Sequence, residues 1–138
     1  MRFVEVVRLV SGVVVVGFGL FLIGLSALTV TMAPRAERFL RGFASSALTH
    51  YTEQGLRLAV GASIVTFAGS MRYPALFHLF GWLILVSTAA LLVIPWRWHN
   101  TFATVVMPPV FRHLRVFALG AFALGAFVLY SASRAVFS

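Results

Sequence analysis

Three carboxylates, four imidazoles and eleven guanidinium groups make up nearly all the ionisable chemistry of this 138-residue chain. There is no Asp, no Lys and no Cys, which removes disulfides, thiolate metal ligands and cysteine nucleophiles. Each acid has an Arg one helical turn away: Glu5 with Arg8, Glu37 with Arg41, Glu53 with Arg57. Such spacings put both partners on one helix face, so each acid is expected to be paired locally. No carboxylate is then left over deep in an apolar run, where a proton relay or cation pump needs one. A Ser/His/Asp hydrolase is disfavoured for want of Asp, and no Gly-rich phosphate loop is present. The chain reads as a non-enzyme with no catalytic residues.

The four His residues are the remaining candidates for a metal or haem. His50, His99 and His113 share a side with the basic segments, and His78 lies near the opposite turn. A bis-His haem needs two imidazoles on facing helices at similar depth. None of the four is central in an apolar run, and none shows two-ligand spacing. No cofactor and no metal are therefore expected; a quinone headgroup pocket built from the three clustered His and nearby Arg is the alternative.

The elements that must position these groups follow from hydropathy. The chain is 61% hydrophobic and 10% charged, against roughly 25% charged residues in a soluble domain. Charge-free runs cover residues 9–34, 58–71, 73–96 and 116–133. A bilayer core of ~30 Å needs about 20 helical residues. The first and third runs are long enough. The fourth suffices once Arg115 or Arg134 snorkels, and the second spans only if its helix starts near Thr52. Thr49 and Thr52 are good N-caps there. The expected fold is all-α: a polytopic membrane protein with four transmembrane helices at about 9–33, 52–70, 74–95 and 110–134. They form one domain with interfacial loops 34–51 and 96–109. Pro109 would open the last helix. The first run, too long for a signal peptide, is expected to be a retained helix.

Each half reads as long helix, Pro, basic segment, Arg, shorter helix. Pro34 corresponds to Pro95, and the stretch from Arg57 to Gly61 to that from Arg115 to Gly120. This is a parallel two-helix repeat, unless it is only the alternation of runs and basic loops that any four-helix membrane protein has.

Charge sets the partners. The net charge is +8, but the Arg residues sit at the ends of apolar runs, not on one polar face, so nucleic acid is not expected. Arg35, Arg38, Arg41, Arg97, Arg112 and Arg115 are expected to bind anionic lipid headgroups. Trp96 and Trp98 suit the same interface, and 36–48 has a partial amphipathic stripe that includes Phe39, Phe43 and Ser45. Seven Arg residues flank the two loops against four on the other side, which favours cytoplasmic loops. Lys-free, Arg-rich composition points to a GC-rich bacterial genome, hence an inner (cytoplasmic) membrane.

Small residues recur at helix-packing spacing: Gly55, Ala59 and Ser63 in the second helix, and Ala121 and Gly125 within the doubled segment 118–127 of the fourth. Such faces let helix backbones approach, within one subunit or against another membrane protein subunit or a second copy. The Gly-rich first helix, Pro34 with its basic stretch, and Arg57-Leu58-Ala59-Val60-Gly61 together resemble small bacterial inner-membrane families of unknown function. The likeness is to two-helix members, here doubled, and covers residues 12–70. It implies no activity. The function expected is that of a noncatalytic scaffold or accessory subunit. A small transporter or channel for an anionic or hydrophobic solute is the alternative, and a quinone- or haem-associated subunit the third.

Overall fold

Helix starts and stops in this chain are set by a few polar side chains and prolines. The computed structural model describes residues 2–42 and 46–137, apart from the side chains of residues 99, 103, 107, 110, 111 and 137. Phe43 and Ser45 lie outside the described residues. Helix α1 runs Phe3–Thr31 and α2 Ala33–Gly42. Helix α3 runs Ala47–Phe67 and leads through a 3-10 turn, Ala68–Ser70, into α4, Pro74–Val93. Helices α5 (Trp96–Arg112), α6 (Leu114–Ala132) and the short α7 (Arg134–Phe137) complete the all-α fold.

Several boundaries differ from expectation, and α1 already starts at Phe3 instead of near residue 9. Helix α3 begins five residues earlier than Thr52, because Ser46 is a better cap. Its Oγ accepts the Thr49 N–H at 3.2 Å, and the Ser46 N–H donates to Thr49 Oγ1 at 3.1 Å, a reciprocal box that satisfies two end donors. The segments read as interfacial loops are largely helical, as α2 and α5. Pro109 does not open the last helix: Pro108 and Pro109 both lie inside α5. The carbonyls they leave without a donor, on Thr104 and Val105, belong to exposed residues that outside polar groups can reach. The break falls at His113 (φ −118°, ψ 43°), and α6 starts at Leu114.

Between α3 and α4 the chain turns sharply. Tyr73 takes a left-handed conformation (φ 57°) and Pro74 opens α4. The strain in a non-glycine residue here is of order 1 kcal/mol or more. The Tyr73 ring stacks on Phe127 at 5.7 Å, and Phe127 in turn stacks on Phe77 at 5.5 Å. These rings tie the α4 start to α6.

The four long helices pack as α6 on α1, α1 on α3 and α3 on α4, neighbours running antiparallel. Their two main seams are built alike. A Cβ on Gly125 of α6 would lie 2.8 Å from the Gly19 carbonyl oxygen and 3.0 Å from both Leu22 and Ile23 of α1. In the other seam a Cβ on Gly61 of α3 would lie 3.0 Å from Ile84 and Leu85 of α4, and one on Gly81 would lie 3.1 Å from the Gly61 oxygen. Val65 crowds Gly81 as Leu129 crowds Gly19. Packing therefore matches Gly61 with Gly125, whereas the sequence alignment matched it with Gly120. Gly120 is exposed and a Cβ there meets nothing within 4 Å.

The apolar core, Val15, Ile64, Phe67, Ala68, Met71, Phe77, Val128 and Ala132, lies toward the α3–α4 turn. Outward faces stay apolar: Val86 is 64% exposed and Leu119 69%. Among the described residues, three helices are long and apolar enough to cross a membrane: α1, α4, and α6 with α7 as far as Val136. Helix α3 has 21 residues but does not meet that standard, because His50, Glu53, Gln54 and Arg57 crowd its first half.

Substituting a seam glycine tests this packing. Gly81→Ala and Gly125→Ala should each cost about 1–3 kcal/mol through overpacking. Gly120→Ala should change stability by no more than ~0.5 kcal/mol. Unfolding of the detergent-solubilised full chain provides the comparison.

Candidate functional site

Polar side chains that a bundle interior would normally reject line the first half of α3. His50, Gln54 and Arg57 recur at i, i+4 and i+7, one helix face, and that face turns inward. His50 and Gln54 are both fully buried. Ser46 capping extends α3 by enough turns to bring them into the bundle. The His50 ring meets Tyr51 edge-on at 4.9 Å.

Arg57 sits where α4 passes. Its Nε donates to Thr88 Oγ1 at 3.1 Å and its Nη2 to Ser87 Oγ at 2.6 Å. Both hydroxyls spend their own protons on the Ile84 carbonyl, at 2.6 Å from Thr88 and 3.0 Å from Ser87. Their lone pairs are thereby left facing the guanidinium. The expected Glu53–Arg57 pair is not formed, because Arg57 is committed across the seam to fixed acceptors on another helix. Glu5 also departs from expectation: its Oε2 accepts the Arg2 backbone N–H at 3.1 Å, the orphan donor at the start of α1, and makes no ion pair with Arg8. Only Glu37 matches its assignment, accepting from Arg41 Nη2 at 2.8 Å. A charge-assisted bond to a hydroxyl is worth about 1.5–3 kcal/mol, yet a hydroxyl cancels no charge.

Gln54 is the sharper anomaly. Its amide nitrogen and oxygen are both buried without a hydrogen-bond partner, at a cost of about 1–3 kcal/mol for each group. A buried polar group of this kind calls for a function or a bound molecule. Between α1 and α6, Ser26 Oγ donates to the Ala118 carbonyl at 2.8 Å, and within α1 Thr29 Oγ1 donates to the Leu25 carbonyl at 2.7 Å.

The residues singled out from sequence fall into three groups. Arg35, Arg38 and Arg41 on α2, Arg97 and Arg112 on α5, and Arg115 at the start of α6 are all exposed, and α2 touches α5. Arg38 Nε reaches the Pro34 carbonyl at 3.4 Å, and Arg97 lies 5.9 Å from the Trp96 ring centre. Ala121 and Gly125 are buried, Gly125 directly against α1. Gly55 and Ala59 are exposed, Ser63 is half-buried, and a Cβ on Gly55 would meet nothing within 4 Å. His78 and His113 are exposed. Among the described residues no three His or Glu side chains could hold a metal ion together.

Sequence reasoning missed Ser87, Thr88 and Gln54. The adjacent hydroxyls at the depth of Arg57, one hairpin away, were the available signal. No protein-family model matches the chain, and neither does any curated protein or solved structure.

A double-mutant cycle checks the seam. Arg57→Gln and Thr88→Val should couple by about 1–2 kcal/mol in unfolding free energy, while Glu53→Gln combined with Arg57→Gln should be additive.

Proposed function

We propose that this is a noncatalytic, multi-pass membrane protein that serves as a small scaffold or accessory subunit, docking another membrane helix on the outward face of α3. One observation carries the reading. Gly125 and Gly61 are consumed inside the fold, but Gly55, Ala59 and Ser63 form a small-residue row that points outward or nearly so. Lipid tails gain little from such a row, whereas a second helix gains close dispersion contact. In this reading α3 crosses the bilayer as a fourth span, its polar half shielded by α1 and α4. The like construction of the two glycine seams supports a parallel duplication of a two-helix unit, with Gly61 equivalent to Gly125. The exposed Arg residues of α2, α5 and Arg115 set the depth of that end against anionic headgroups. The Arg count favours the cytoplasmic side for that end, and the Lys-free composition suits a bacterial inner membrane. The small bacterial inner-membrane families that the first half resembles fit this picture.

A second reading, a small transporter or channel for an anionic solute, draws on the Arg57 seam, where a cation meets hydroxyls in place of a carboxylate.

The wild-type chain, purified from native membranes in mild detergent, should elute with another membrane protein or as an oligomer. Ala59→Phe should release it as a monomer, and Gly120→Phe should not. A wild-type monomer free of partners would falsify the docking role. Anion flux into proteoliposomes above that of empty vesicles would favour the second reading.

A further inference from the structure

The end of the bundle where α1 and α4 begin and α3 and α6 finish carries Arg2, Arg8, Arg72 and Arg134 against one carboxylate, Glu5. Glu5 is already engaged by the Arg2 N–H. The ends of α3 and α6 are bound to each other reciprocally. The Arg72 backbone N–H donates to the Ser131 carbonyl at 2.9 Å, and Arg134 Nη1 donates to the Met71 carbonyl at 3.2 Å. The Arg72 guanidinium lies over the Tyr130 ring, 4.8 Å from its centre.

Two side-chain atoms at this junction are buried without a hydrogen-bond partner: Arg72 Nε and Ser131 Oγ. Ser131 is fully buried. The backbone bond makes Arg72 and Ser131 direct neighbours across the start of α4 and the end of α6. A guanidinium N–H only donates, and a serine hydroxyl is free to donate. Two donors beside an excess of positive charge form an incomplete anion site, lacking an oxyanion that would accept from both. An apolar groove of about 710 Å³ opens at the same end of the bundle, lined by Glu5, Arg8, Gly12, Gly17, Phe67 and Ala132 among others. Ala132 follows Ser131 directly, and the missing side chain of Gly17 leaves open space in the wall.

We propose that this junction holds the phosphate of an anionic phospholipid, with Arg72 Nε and Ser131 Oγ as donors and the α1 groove seating an acyl chain. Charge selects the class: four guanidinium groups against one engaged carboxylate favour a net-negative headgroup over a zwitterionic one. The groove selects an amphiphile over a free anion. The site is separate from the docking face of α3 and from the Arg residues of α2 and α5.

The test uses the full chain reconstituted in mixed phosphatidylcholine and phosphatidylglycerol vesicles, released into native mass spectrometry. Wild type should retain phosphatidylglycerol in preference to phosphatidylcholine. Ser131→Ala, which keeps the backbone acceptor for Arg72, should lower retention by about tenfold, the loss of one charge-assisted hydrogen bond. Arg72→Gln should do so at least as strongly, and Gly17→Leu should lower retention by filling the groove. Arg115→Gln, at the other end, should leave it unchanged. Equal retention of both lipids by wild type, or full retention by Ser131→Ala, overturns the site. Displacement of the lipid by excess inorganic phosphate overturns the lipid assignment in favour of a free oxyanion.

Discussion

Backbone contact between helices is what the rest of this structure is arranged around. In lipid, apolar side chains gain nothing by leaving the solvent for a helix interface, so association depends on dispersion and on hydrogen bonds across the seam. Dispersion between heavy atoms fades within an ångström of the optimum. Glycine removes the Cβ that would hold two helices apart. Gly19 against Gly125, and Gly61 against Gly81, bring α1 to α6 and α3 to α4 at carbonyl-oxygen range. The branched side chains one turn away, Leu22 and Ile23 or Ile84 and Leu85, then close around the crossing. The tight turn at Tyr73 joins α3 to α4 across one of these crossings.

The interior so formed is divided along its length. Toward the α3–α4 turn it is apolar, with Val15, Ile64, Met71, Phe77 and Val128 in contact. Toward α2 and α5 it is polar, with His50 and Gln54 fully buried and Arg57 bonded to α4 hydroxyls. A guanidinium held by hydroxyls keeps its charge, where a carboxylate would cancel it. The same preference recurs at the opposite end, where Arg134 takes a carbonyl and Arg72 an aromatic face. With three Glu residues in the chain and eleven Arg, most of the cations must find neutral acceptors or outside anions. That imbalance connects the buried seam, the exposed rows on α2 and α5, and the junction of Arg72 with Ser131.

Polarity also explains why α3 stands apart from its three neighbours. Its second half packs like theirs, through Gly61, Ile64 and Phe67. Its first half exists as helix because Ser46 and Thr49 cap it, and its polar face, His50 and Gln54, is buried by what packs around it. Its outward face carries the small residues Gly55, Ala59 and Ala62 among the exposed Leu48, Tyr51, Leu56 and Leu58.

Run length, net charge and residue type were local properties, and they were enough to establish an all-α chain with several long apolar helices, the Pro74 start of α4 and the exposed Arg rows. Hydropathy depends only on which residues are consecutive. The other outcomes depended on which helices meet. Glu53 and Arg57 stand one turn apart in sequence, yet Arg57 turns to Ser87 and Thr88, because α4 places fixed acceptors there. Gly120 and Gly125 are alike in the doubled segment of α6, yet only Gly125 faces α1. Residues 34–42, 47–51 and 96–109, within the segments read as loops, looked too polar to be spans and are helical nonetheless, since a helix needs its own hydrogen bonds and not an apolar run. A residue's neighbours along the chain decide what it is able to form, and its neighbours across the seam decide what it does form.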